Sequence, residues 1–259
     1  MKTSTIALLA AAILTSAAVA HAGIVVGTAG DGFQTFGTPD ENGTPFWDNP
    51  SLDGPHQNIG YQVLNTYGSV LPWWGTSAGG FDPNFHFDRG ASSGSVSGAL
   101  KLEIASYSNA NEVGWYDITD PSHTHHVIWT GTDSSSSNAS QTFTPSVDWG
   151  LYISGPGGTF YSNSSLNSVD TSTQHFAVFA TTPLAGMGSG NEAYYIGAED
   201  LPATTNTYEK PGDYNDFIFT IASVAGINNV PEPASLAILV LGAAGLLLRR
   251  PKGRRASAT

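Results

Sequence analysis

The chain has 259 residues, of which 40% are hydrophobic and only 12% charged, with no cysteine and a formal net charge of −12. That excess of acid excludes a surface built to hold nucleic-acid phosphates or an anionic lipid face, and the missing cysteines exclude disulfides as a source of stability. The fold must rest on its core or on bound ions, and the roughly 200 residues between the two ends suffice for one domain or two small ones.

The first element is apolar. Lys2 gives a positive start, Ile6 to Val19 is interrupted only by Thr15 and Ser16, and Ala20-His21-Ala22 offers small residues at the two positions a signal peptidase reads. Residues 1–22 are therefore expected to be a secretory signal helix, with Gly23 the first residue of the mature chain. From there to Asn229 the basic residues are Arg89, Lys101 and Lys210 alone, against twenty acidic ones. Low charge density with many Gly, Ser, Thr and Asn and abundant aromatics suits an extracellular β protein better than a disordered spacer.

Residues 23–140 are expected to form a β-rich N-terminal region. Between Gly27 and Gly98 clear strands are few, and the Gly, Pro and Asn content predicts long loops packed by Trp47, Trp73 and Trp74. After that, Leu100, Leu102 and Ile104 alternate with Lys101 and Glu103, and strands are expected at Val113 to Ile118 and His126 to Thr130. No stretch has a useful amphipathic helical period. Gly75-Thr76-Ser77-Ala78-Gly79 matches a nucleophile elbow in letters, but Pro72-Trp73-Trp74 before it and Gly80-Phe81-Asp82-Pro83 after it supply neither the strand nor the helix that motif needs. His123 and His125 would share a strand face as two metal ligands must, but a third ligand is missing, and a solvated loop is the simpler account. Of Trp115 and Tyr116, one is expected to face the core.

Residues 141–226 show stronger alternation. Trp149, Leu151 and Ile153 fall on one face, as do Phe176, Val178 and Ala180, with further strands at Thr159 to Ser162, Ala193 to Gly197 and Phe217 to Val224. Many short strands with Gly- and Pro-rich turns predict an all-β protein, a β-sandwich or jelly roll with long loops. Asp213, Asn215 and Asp216, with Glu199 and Asp200, are hard oxygen donors beside strand ends, as calcium requires, although not at EF-hand spacing. The other reading is that Asp213 and Asn215 make side-chain-to-backbone turns that start the last strand. In order, Asp148 to Ile153, Phe160 to Ser162, His175 to Phe179, Tyr195 to Leu201 and Gly212 to Phe219 resemble a domain of unknown function that ends in a D-Y-N-D motif. The resemblance implies a β-rich extracellular module and not an enzyme.

The last thirty residues have three parts. Pro231-Glu232-Pro233 is a rigid element, Ala234 to Leu248 is apolar, and Arg249, Arg250, Lys252, Arg254 and Arg255 form a basic end. The prolines hold an extended strand, the apolar run enters lipid and the arginines stay on the cytoplasmic side. As a helix the run would span about 22 Å at about 1.5 Å per residue, short of a hydrocarbon core of about 30 Å, which suits a transient anchor. Residues 229–255 resemble the PEP-CTERM tail of bacterial exported proteins. The resemblance implies a short transmembrane helix, processing by an exosortase-type enzyme, and a place in the cell envelope or extracellular matrix. The expected role is structural and non-catalytic, with extracellular polysaccharide as a partner and no nucleic acid. The rival is a carbohydrate-binding module or polysaccharide-active enzyme, which would expose a row of aromatics beside carboxylates.

Overall fold

The computed structural model describes residues 24–51, 53–89, 95–103, 108–133, 140–181, 193–202 and 212–223. The expected signal helix at 1–22 and the short transmembrane helix within 229–255 lie outside the described residues. Within them, two antiparallel sheets face each other. The first runs β1 (Ile24–Val26), β4 (His86–Asp88), β9 (Trp149–Gly155), β6 (Glu112–Asp117) and β7 (His125–Thr130), with β10 (Gly158–Tyr161) folded back on β9. The second runs β2 (Gly32–Gln34), β3 (Trp73–Gly75), β11 (Phe176–Ala180), β12 (Ala193–Ala198), β13 (Phe217–Ser223), β5 (Val96–Glu103) and β8 (Ser140–Phe143). Strands from either side of residue 140 hydrogen-bond to one another in both sheets, as β6 does to β9 and β13 to β5.

Strand alternation builds the core. Trp149, Leu151 and Ile153 of the first sheet meet Phe176, Val178, Tyr194, Ile196, Phe217 and Phe219 of the second, all nearly free of solvent. Each large apolar side chain removed from water in this way stabilises the fold by about 1.5–3 kcal/mol before the entropy of ordering is subtracted. The β9–β10 hairpin turns at Pro156-Gly157, inside the Gly- and Pro-rich stretch expected to turn.

Two expectations are corrected. Leu100 and Leu102 do not share a face: a register shift opposite Ile218/Phe219 pairs Phe219 with Leu100 and Ile218 with Leu102, leaving Lys101 as the extra residue. Leu100 therefore enters the core between the sheets and Leu102 packs on the far side of the second sheet, because one inserted residue inverts a period-two pattern. The mature region also contains a helix, α1 (Ile59–Tyr67). It is set by its caps, not by a long periodic stripe. The Asn58 side chain accepts from the Tyr61 N–H, Gly68 closes the end at φ 70°, and only Ile59, Gly60 and Val63 are buried. With the loop carrying Trp47, α1 roofs the outer face of the second sheet, where Trp47, Ile59, Val63 and Trp73 pack on Ala177, Phe179, Tyr195 and Ile218.

Candidate functional site

The expected acidic residues gather where β12 ends and β13 begins. Glu199 follows Ala198 directly, and its backbone is bracketed by His175: the Glu199 N–H donates to the His175 carbonyl at 3.0 Å, and His175 Nδ1 donates to the Glu199 carbonyl at 3.1 Å. The Glu199 carboxyl turns inward, where Oε1 accepts from the backbone N–H groups of Gly212 at 3.0 Å and Tyr214 at 2.5 Å. Asp216 Oδ2 accepts from the Asp200 N–H at 2.9 Å, and Asn111 donates to Asp200 Oδ2. The carboxyl groups of Asp213 and Asp216 lie close enough to Glu199 to act on its charge. Asn215 points elsewhere, donating to Ser51 Oγ, Asp53 Oδ2 and the Gln57 carbonyl at 3.0–3.2 Å.

Local geometry explains the residue types. Gly197 has to be glycine because a Cβ there would collide with the Tyr214 carbonyl. Gly212 sits at φ 142°, a region open essentially to glycine, and its carbonyl accepts from Asn49. The Ile59 N–H donates to the Asp213 carbonyl at 2.7 Å, so the first turn of α1 is fastened to this segment. Asn49, Ser51, Asp53 and Asn111 are site residues that the sequence did not reveal, since each is an isolated polar residue whose partner lies far along the chain.

All four carboxylates are nearly free of solvent, Glu199 at 3%, Asp200 at 1%, Asp213 at 9% and Asp216 at 7%. Burial, and then the neighbouring acids, push the Glu199 and Asp216 carboxyls well above the usual range; burial raises Asp213 as well. The ion pairs among the described residues are His56 with Glu41 and His175 with Asp170. Burial among like charges favours the protonated form, and it does so at both Glu199 and Asp216. Regarding the calcium expectation, the described residues contain no group of three or more His, Asp or Glu arranged to hold a metal ion. The oxygens face backbone donors and one another. The arrangement can keep protons out of water and lock the lead-in to β13.

The remaining motifs are absorbed into packing. His123 and His125 do lie together, both against Tyr161, with His125 Nε2 at 3.0 Å from the Tyr161 hydroxyl, while His126 stacks on Trp115. Trp115 faces the core and Tyr116 the outer side, where it lies over Gly150 and is buried. Burial pushes its hydroxyl up to about 12. Gly75 to Gly80 forms a turn closed by the Thr76 N–H to the Gly80 carbonyl, with no helix after it. Trp47, Trp73, Trp115, Trp129 and Trp149 are buried, and Trp74 is half-buried with its indole N–H on Asp82.

The class defined by these features is an all-β sandwich whose polar clusters are spent on its own backbone. Its identity comes from the tail: residues 229–255 match the family model of the PEP-CTERM protein-sorting motif. Pro231, Glu232, Pro233, Arg249 and Arg250 fall within that match. The motif marks an exported, envelope-associated protein that exosortase sorts. Comparison with curated proteins gives no match. Among the described residues no helix is long and apolar enough to cross a membrane.

Proposed function

We propose that the protein is a non-catalytic structural or interaction module of the cell envelope or extracellular matrix. On this reading residues 1–22 direct export and are removed, and the apolar run of the tail anchors the chain until exosortase processes it. The observation that carries the reading is the burial of the acid cluster between β12 and β13: a glycosidase needs carboxyl groups that a substrate can reach, and Glu199, Asp200, Asp213 and Asp216 are covered, with Glu199 and Asp216 hydrogen-bonded to backbone. The buried tryptophans support the same reading.

The test is to replace Pro231, Glu232 and Pro233 together by alanine in the native host and to compare mature mass and cell fraction with the wild type. The apolar run and the arginines remain, so insertion should survive while processing fails. An unchanged mass and location would leave only a plain anchor. Release of reducing ends from the host's own matrix polysaccharide by the purified wild type would overturn the non-catalytic reading.

A further inference from the structure

We infer that His123, His125 and Tyr161 form a surface site for a divalent transition-metal ion, copper(II) in preference to zinc(II). The three side chains come from the loop before β7, from β7 itself and from β10, and the fold brings them together on the outer side of the first sheet. Both imidazole rings pack against the Tyr161 ring, His123 at a centroid distance of 6.1 Å and His125 at 5.7 Å. Tyr161 thus supplies the third donor that the spacing of the two histidines could not show.

The donors are open to a ligand. All three residues are half-buried, so an ion can reach them from solvent. Among the described residues nothing hydrogen-bonds the His123 ring, and the His125 ring has one such bond, from Nε2 to the Tyr161 hydroxyl at 3.0 Å. Two donors held at about 2.0–2.1 Å from a metal ion and at a right angle to each other stand about 2.9 Å apart. An ion can therefore replace the proton that the two atoms share without moving either ring far. Right angles between nitrogen and oxygen donors suit the tetragonal geometry of copper(II), which also heads the affinity order for such ligands, whereas zinc(II) favours a tetrahedral set. Burial, and then the neighbouring histidines, favour the neutral form of His125, which is the form that binds metal.

The site is shaped before an ion arrives. Asp120 accepts from the Ser122 N–H through Oδ1 at 2.9 Å and from the Thr124 N–H through Oδ2 at 3.0 Å, while the His123 N–H donates to the Asp120 carbonyl at 3.0 Å. Within this turn His123 sits at φ 47°, with its ring edge-on to Tyr116 at 5.6 Å, and His125 lies flat on Tyr152 at 3.8 Å. Both rings are thus fixed by packing. The carboxylates of Asp120 and Glu112 stand near His123 and His125 respectively, and their negative charge favours a cation. His126 takes no part, because its ring is stacked on Trp115 at 3.9 Å.

The site does not depend on the envelope reading, and its test needs only the purified protein. The full chain, without a polyhistidine tag and freed of metal by a chelator, is titrated calorimetrically with Cu(II), Zn(II) and Ca(II) at neutral pH. One Cu(II) per chain should bind with a micromolar Kd or tighter, and its electron paramagnetic resonance spectrum should show coupling to two imidazole nitrogens. His123→Asn, which also suits a left-handed backbone, and His125→Gln should each weaken binding by about tenfold or more, and His126→Gln by less than about twofold. The metal-free unfolding midpoint of each variant is measured alongside. Should both histidine variants lose the wild-type midpoint, Tyr161→Phe, which retains the ring, decides by the same criterion. Absence of micromolar Cu(II) binding, or wild-type affinity in a deciding variant, overturns the site. An equal loss in His126→Gln overturns the ligand set, and Zn(II) or Ca(II) binding as tightly as Cu(II) overturns the choice of ion.

Discussion

The two outer faces of the sandwich solve one problem in opposite ways. On the second sheet, Ala177, Phe179, Tyr195 and Ile218 are apolar and lie under a roof made by the Trp47 loop and α1. The outer face of the first sheet covers itself: Tyr152 carries the stacked ring of His125 at 3.8 Å, Tyr116 meets Tyr161 edge-on, and the Tyr152 hydroxyl donates to Glu112. A sheet face backed by a remote segment depends on the closure of that segment, whereas one that lays aromatic rings along its own strands depends only on strands of the same sheet. The roofed face should therefore fail abruptly under mutation and the self-covered one gradually.

The largest effect is expected at the roof. Trp47 is fully buried, with Phe36, Trp73 and Phe179 at ring-centroid distances of 4.8–6.1 Å. Trp47→Ala should cost about 3–5 kcal/mol, read from urea unfolding, since removing a large aromatic loses both its transfer energy and the packing around it. A loss below about 1 kcal/mol would mean that the roof is not part of the cooperative fold.

The roof is joined to the carboxyl cluster, and there the expected signature is pH dependence. Glu199, Asp213 and Asp216 have folded-state pKa values raised by burial, so the folded chain holds protons that the unfolded chain gives up. Between the unfolded values and the raised folded ones, the folded state binds more protons, and stability falls as pH rises. The thermal midpoint of the wild type should decline over the interval that begins just above the ordinary carboxylate range. Glu199→Gln keeps the acceptor for Gly212 and Tyr214 but needs no proton, so its midpoint should decline less and exceed the wild type's at the alkaline end. A wild-type midpoint that rises across this interval would show that the cluster folds ionised.

Calcium sharpens the same comparison. A cation bound only by the folded state would add about 2.7 kcal/mol at a hundredfold excess over its dissociation constant. With the cluster's oxygens already taken by backbone donors, midpoints in calcium and in chelator should coincide. A rise of several degrees with calcium, lost in Asp213→Ala, would give the site to the metal instead.

What the sequence made legible follows the same division. Strands of the inter-sheet core were readable because Trp149, Leu151 and Ile153 obey period two without interruption. Leu100 and Leu102 misled because a bulge is invisible in a pattern of apolar and polar letters. The helix α1 was missed because nine residues with two cap signals give too short a period to register. Glu199, Asp213 and Asp216 were identified as a cluster from their closeness to strand ends. Ser51 beside Asp213, Asn49 on the Gly212 carbonyl and Asn111 on Asp200 were not, since proximity in space across more than fifty residues leaves no mark in spacing. The sorting motif at 229–255 was legible because its parts stand in linear order and need no tertiary fold to be read.

The smallest effect is expected on the self-covered face. His125 is the outermost ring of that stack: it shields Tyr152, and its Nε2 meets the Tyr161 hydroxyl. Burial, and then the neighbouring histidines His123 and His126, lower its pKa against the opposing pull of Glu112, so the folded state favours the neutral ring. Protonation on acidification therefore costs stability, in the direction opposite to the carboxyl cluster. His125→Gln removes the stacking and the titration together but can still hydrogen-bond Tyr161. It should cost about 1 kcal/mol or less at pH 8 and progressively less below pH 6, where the wild-type ring itself becomes a burden. Hydrogen exchange at the β6–β7 pairing is the direct measurement: local opening there should increase while the midpoint of the whole domain barely moves. A fall in the global midpoint as large as that of Trp47→Ala would show that both outer faces belong to one cooperative unit, and the distinction between a roofed face and a self-covered one would lose its energetic meaning.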